Sequence, residues 1–557
     1  MGCFMSTPLQ RAVSAGDEAQ IKQRFAECKD QPQITGQALL SSIKEKNGSA
    51  ALLVRLEAPL DYKDQNGCSA LLLAVTTNQP ALVTLLVSAG ANIHDVDGVG
   101  DTALIKASVS NNMPIARTLL RAGARPDQAN NATNTPLLVA ANAGNMELVS
   151  LLIQHGADVD LASSKGTTAL HLAARQGNLP MTKALIVARA NPNASDHMGN
   201  TPILLAVEVR NADVVIALLG ARAKADVPNT AGISPLAQAM NNGDVAIIGI
   251  LLESGASPNV CDNDGTSLLM QAVGRNDIAV AKTLLGAGAD PNAANKATNT
   301  PLLVAANAGN MELVSLLIQH GADVDLASSK GTTALHLAAR QGNLPMATAL
   351  LEARANPNVF DLMGNSPVFL AVEARNADLV KALLGARAKV DAPNTLGVSP
   401  LAQAMNNGDV AIIGMLLESG ASPNVCDDDG TSLLMQAVGK YDAAVAKTLL
   451  QAGARPDQAN NATNTPLLVA ANAGNMEMVS LLIQHGADVD LASSRGTTAL
   501  HLAARQGNLP MTKALLEARA NPSLKNLEGK TPSDVANDAA HLECRWMLTE
   551  GTKILLS

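Results

Sequence analysis

Gly166-Thr-Thr-Ala-Leu-His-Leu-Ala-Ala-Arg-Gln-Gly177 decides how this chain is built. The same twelve residues return at 331–342 and 496–507, and weaker versions recur at even intervals between those copies. A fixed period of roughly 33 residues is the signature of a solenoid, in which each unit buries its apolar face only against its neighbours. Gly67, Gly100, Thr133, Gly166, Gly199, Gly232, Gly265, Thr298, Gly331, Gly364, Gly397, Gly430, Thr463, Gly496 and Gly529 keep one constant spacing and open fifteen units. Two irregular units ahead of them bring the total to about seventeen.

The residues 133–165 show the physics of one unit. Thr135 is placed to cap a helix by accepting a backbone N–H, and Pro136 suits the first helical position, where no N–H partner is needed. The first helix therefore begins at Pro136 and ends at the turn signal Gly144-Asn145. The second carries Leu148, Val149, Leu151, Leu152 and Ile153 at helical spacing, an apolar stripe broad enough to be covered by neighbours on both sides. Gly156 ends it in the left-handed cap position, and 158–165 form an extended turn into the next unit.

This pattern resembles the ankyrin repeat: G-x-T-P-L-H-x-A-A, then G-N/H, a Leu-Leu pair and G-A-D/N. The residues 166–191 and 133–160 follow it nearly throughout, and the resemblance runs from about Ser6 to the C-terminus. It implies an all-α solenoid: helix-turn-helix units with projecting β-hairpin loops, stacked into a curved, elongated superhelix whose concave face binds partners. On this reading residues 1–6 are a tail, 7–66 two divergent capping repeats, 67–528 fourteen regular repeats and 529–557 a C-terminal capping repeat whose Trp546 closes the core. One departure stands out. Arg189, Arg222, Arg354, Arg387 and Arg519 occupy the slot of Gly156, where a non-glycine residue in left-handed geometry costs roughly 1 kcal/mol. Either the helix end relaxes, or a cation is tolerated beside the helix C-terminus, or these arginines serve a further purpose.

A longer period lies above the short one. The residues 133–181 are identical to 298–346 and reappear at 463–511 with two changes, Met478 for Leu148 and Arg495 for Lys165. Core constraints do not preserve identical surfaces, so blocks of five units were duplicated whole. The recurrence would also suit a repetitive or multivalent partner, through effective concentration.

Composition excludes several classes. Hydrophobic residues make up 47% of the chain, yet it holds one Trp, two Tyr and four Phe, so the core is thin and built from small side chains. The net charge of −9 is spread without a basic patch, which argues against nucleic acid. The six cysteines lie far apart with no C-x-x-C pair, which suits reduced thiols in a cytoplasm. No stretch is long and apolar enough for a transmembrane span or a Sec-type signal peptide. Residues 1–6, Met-Gly-Cys-Phe-Met-Ser, fit the N-myristoylation pattern, with Gly2 as acceptor and Cys3 as a neighbouring palmitoylation candidate. The alternatives are six ordinary residues ahead of the first repeat, or a translation start at Met5.

No catalytic constellation is legible. His171, His336 and His501 recur, but the resemblance implies a structural ring that ties neighbouring turns together. The other histidines lack metal-ligand spacing, and no nucleophile elbow, phosphate loop or dinucleotide fingerprint appears. Asp427, Asp428 and Asp429 read as a solvated acidic loop. The expectation is therefore no enzyme, no metal and no cofactor, and a monomeric cytoplasmic scaffold that binds a partner protein. The rivals are an acylated adaptor at the cytoplasmic face of a membrane, an effector translocated into a host cytoplasm, and a spacer without a specific ligand. Residues spared core duty are the candidate partner contacts: Lys165 and Thr167 on the loop, Arg175 and Gln176 at the end of the first helix. Their copies are Lys330, Thr332, Arg340 and Gln341, and Arg495, Thr497, Arg505 and Gln506. Tyr441 joins them because it stands in an inter-helix turn where the duplicate unit has Asn276.

Overall fold

The computed structural model describes residues 7–551. Among these are thirty-four α-helices, which pair into seventeen helix-turn-helix units, followed by a π-helical turn at Met547–Gly551. The fold is an all-α repeat solenoid. The chain divides into two compact units, residues 7–260 with 282–289, and residues 261–281 with 290–551.

Each helix is short enough to need its neighbours. In one repeat the first helix spans Pro136–Asn142 and the second Met146–Gln154, lengths at which an isolated helix is unstable in water. Caps set the ends. Thr135 Oγ1 accepts the Leu138 N–H at 3.2 Å, and Asn145 Oδ1 accepts the Leu148 N–H at 3.1 Å. Gly144 and Gly156 terminate the two helices at φ +71° and +83°. Alanine makes the stack tight: Ala140, Ala141, Ala173 and Ala174 are fully buried, as are Leu148, Val149 and Leu152 from the second helix.

The five arginines in the glycine slot keep the left-handed geometry, at φ +63° to +67°. The helix end does not relax around them, so each holds a conformation that costs an L-residue about 1 kcal/mol.

The expected β-hairpins are reduced to turns. No β-strand occurs among the described residues, only isolated bridges such as Val96 with Thr102 and Cys426 with Ser432. A side chain closes each loop instead. Asp196 Oδ1 accepts the N–H groups of Met198 and Asn200, both at 2.9 Å, and Asp196 N–H donates to the Asn200 carbonyl at 3.0 Å. Five residues bent in this way leave no room for a ladder. Many successive loops are then tied by single backbone bonds, such as His197 N–H to Lys165 O and Thr230 N–H to Met198 O, both at 2.9 Å.

At the N-terminus, Pro8–Ala15 with Glu18–Glu27 and Pro32–Glu45 with Ser49–Arg55 make the two irregular pairs. At the C-terminus, Pro532–Asp538 pairs with Leu542–Trp546. Trp546 does not close the core: it is 56% exposed, and the small Cys544 with Leu548 is buried in its place.

Candidate functional site

Three of the four residue types picked from the sequence converge. Lys165, Thr167 and Arg175 line one cleft of 280 Å³, facing Asn134, Leu138, Val139 and Asn142 from the preceding repeat. Lys330, Thr332 and Arg340 line the equivalent cleft of 360 Å³, facing Asn299, Leu303, Val304 and Asn307. The helix caps explain the arrangement. Thr168 and Thr333 start the first helix directly after the loop, which sets a loop cation and an arginine one helix-length apart around a floor of leucine and valine. In the third copy Arg495, Thr497 and Arg505 line a cleft of 510 Å³ that opens toward the C-terminal repeat, where Asn526, Lys530 and Asp538 form its far side.

The arginines differ in what holds them. Arg340 Nη2 stands 3.6 Å from Asp361 Oδ2, while Arg505 Nη2 donates to Asn472 Oδ1 at 3.0 Å. One repeat past Arg505 the counterpart of Asp361 is Asn526, which offers no charge. In the third cleft Lys530 is engaged by Glu528 at 3.1 Å and Asp538 at 3.0 Å, and these hydrogen-bonded carboxylates raise its pKa.

Gln176, Gln341 and Gln506 are structural, which corrects their place among the contacts free for a partner. Gln176 Nε2 donates to the carbonyls of Ala141 at 3.1 Å and Asn142 at 2.8 Å, the last turn of the preceding first helix. Gln341 does the same to Ala306 and Asn307, and Gln506 to Ala471 and Asn472. The alanine carbonyl also accepts the N–H of the capping glycine, Gly144 to Ala141 at 3.0 Å, whereas the asparagine carbonyl, at the helix end, finds its partner in the glutamine amide across the repeat boundary.

The three histidines are clamps. His171 Nδ1 accepts the Thr168 N–H at 3.2 Å and Nε2 meets the Asn200 carbonyl of the next repeat at 3.0 Å, with the ring fully buried. Asp427 is likewise committed: its Oδ1 accepts the N–H groups of Asp429 and Thr431. A signal for this was present in the sequence, since Asp, Asn or Ser recurs three residues before every slot glycine or threonine. A second asparagine–aspartate series links neighbouring repeats: Asp160 Oδ1 accepts the Asn191 N–H, and Asn358 Oδ1 the Lys389 N–H.

Tyr441 lies outside the clefts, in the turn between Leu433–Gly439 and Ala443–Gln451, 59% exposed at φ +60°. Glycine fills this slot in most repeats and Asn276 fills it in the duplicate, because both tolerate left-handed geometry. Tyr441→Asn is therefore expected to stabilise its repeat by about 1 kcal/mol in urea titration. A loss of stability would mean that the ring makes a contact worth more than the strain. Gly2 and Cys3 lie outside the described residues. Among those described, no cluster of His, Cys, Asp and Glu could hold a metal ion, and no helix is long and apolar enough to cross a membrane.

The geometry so far defines a class: a helical repeat solenoid whose loops and first-helix ends enclose recurring polar clefts. Comparison identifies the family. A profile of three ankyrin repeats matches residues 39–130, 126–196, 171–262, 203–295, 269–361 and 434–526, and a single-repeat profile matches 363–395 and 396–428. The chain belongs to the ankyrin repeat family. Among solved structures it is similar to the ankyrin repeat domain of Bcl-3, a member of the IkappaB protein family, at 30% identity over 39% of this chain and 98% of that one, with a TM-score of 0.36. No curated protein matches the chain. Ankyrin repeats generally mediate protein–protein interaction, and the family is typically non-enzymatic.

Proposed function

We propose that this protein is a non-catalytic scaffold that binds a partner protein through the loops and clefts around Lys165, Thr167 and Arg175 and their copies. The recurrence of the cleft carries the reading: two clefts with identical linings, one from Asn134 to Arg175 and one from Asn299 to Arg340, each present a lysine and an arginine over an apolar floor. Arginine at the rim of an apolar depression is the kind of group that anchors interfaces. The protein works as a monomer in the cytoplasm, without a cofactor.

Reversing the charge of Arg175, Arg340 and Arg505 together to Glu tests this. Affinity capture from the native cell is expected to lose partners that the unmodified chain retains, with circular dichroism unchanged. An identical set of partners would remove the cleft assignment and leave a spacer.

A further inference from the structure

We infer that the second five-repeat block carries a docking surface of its own, built for an extended peptide with an acidic residue followed by apolar ones. This rests on the reading that the Lys330–Arg340 cleft binds a partner.

Four large apolar side chains stand exposed on two successive loops: Phe360 at 45%, Leu362 at 71%, Met363 at 58% and Leu396 at 76%. Single exposed apolar residues need no explanation, but a group of them does. Backbone bonds hold the loops side by side. Leu362 N–H donates to Lys330 O at 3.0 Å, and Thr395 N–H donates to Met363 O at 2.9 Å. Three neighbouring loops thus present Lys330, then Leu362 with Met363, then Leu396.

The fold does not require these residues, as the chain itself shows. The corresponding positions of the first block are Ser195, His197 and Ala231, with Met198 the only member in common. Its loops keep the same bonds, His197 N–H to Lys165 O and Thr230 N–H to Met198 O. Nor has the second block gained apolar surface everywhere. The exposed Val187, Val209 and Ile216 of the first block correspond to Glu352, Ala374 and Lys381. Apolar character has left the helices and collected at the loop tips beside the cations.

Charge and spacing specify the occupant. Lys330 and Arg340 are the charged residues that line the cleft, and the buried Asp361 offsets only one of them, at 3.6 Å from Arg340, so the cleft favours an anionic side chain. Packed helices lie about 8–10 Å apart, and an extended chain advances roughly 3.3 Å per residue, so each repeat corresponds to about three residues of peptide. Asp or Glu at the cleft would be followed by an apolar residue about three positions on, against Leu362 and Met363, and another about six positions on, against Leu396.

The test selects random dodecapeptides displayed on phage against the full chain. The triple substitution Phe360→Ser, Leu362→His and Leu396→Ala installs the first block's own residues, which that backbone accommodates. Expected are peptides with the acidic-then-apolar pattern, whose affinity drops roughly tenfold or more in the triple variant and in Lys330→Glu with Arg340→Glu. If only the charge reversal weakens binding, the docking surface is refuted while the cleft reading stands; if neither does, both fall. Basic or wholly polar peptides, or no selected sequence, would overturn the inference. So would a doubling of mass on concentration that the triple variant abolishes, because the surface would then join two copies of this chain.

Discussion

His336→Ala is expected to destabilise its own repeat and the one after it by about 3 kcal/mol. The fully buried ring accepts the Thr333 N–H on Nδ1 at 3.2 Å, which leaves the proton on Nε2, 3.1 Å from the Asn365 carbonyl. Alanine would strand both backbone groups and open a cavity between repeats. Coupling in a solenoid runs between nearest neighbours, so hydrogen exchange across residues 331–396 reports the loss. A change below about 1 kcal/mol would show that water replaces the ring cheaply.

The same rings set a response to acid. Burial holds His336 below the ordinary imidazole pKa, opposed by the Asn365 carbonyl and Asp361 and assisted by Arg340. Burial does likewise to His171, against the Asn200 carbonyl and Asp196, and to His501, against the Lys530 carbonyl. An unfolded histidine titrates near about 6.5. Below that value the unfolded chain binds more protons than the folded one, so stability is fully present above it and is lost as pH falls toward the lowered folded pKa values. Each ring contributes at most about 1.4 kcal/mol per pH unit. Urea midpoints from pH 7.5 to 5.0 measure the slope, and His336→Gln is expected to reduce it. An unchanged slope would place the acid sensitivity elsewhere.

Gly364→Thr is expected to cost roughly 2–3 kcal/mol, the left-handed penalty plus displacement of the next loop. Gly364 sits at φ +72°, and a Cβ there would lie 2.8 Å from the Thr395 backbone nitrogen. The chain contains its own comparison. Thr133, Thr298 and Thr463 fill the same slot at φ +62°, +56° and +61°. Beside Thr298 the loop-to-loop bond, Ser329 N–H to Ala297 O, is stretched to 3.4 Å. Beside Thr133 and Thr463 no such bond forms among the described residues, but it is equally missing beside Gly232 and Gly397, so the expected cost rests on the Cβ contact and the left-handed geometry. Thermal unfolding of Gly364→Thr measures the cost, and Thr298→Gly is expected to gain about 1 kcal/mol. A neutral Gly364→Thr would mean that the loops separate without penalty.

Local chemistry was the legible part of this protein. Thr135, Pro136, Asn145 and Gly156 announced helix boundaries because caps act within four residues of themselves. Lys165, Thr167 and Arg175 could be selected by elimination from core duty, but not their neighbours Asn134 and Asn142, which a preceding repeat supplies. Gln176 was misplaced for the same reason: its carbonyl partners lie 34 and 35 residues upstream. Trp546 went astray because a large apolar ring suggests burial, while the space at the end of the stack admits only Cys544 and Leu548.

By itself the sequence determined the period, the helix pairs, the apolar faces and the family, since all of these follow from residue type and short-range order. Tertiary structure alone decided which exposed side chains are spent on a neighbouring repeat and which remain to meet a partner. A hydrogen bond that spans a whole repeat leaves no local trace, and neither does an apolar surface assembled from the tips of two loops.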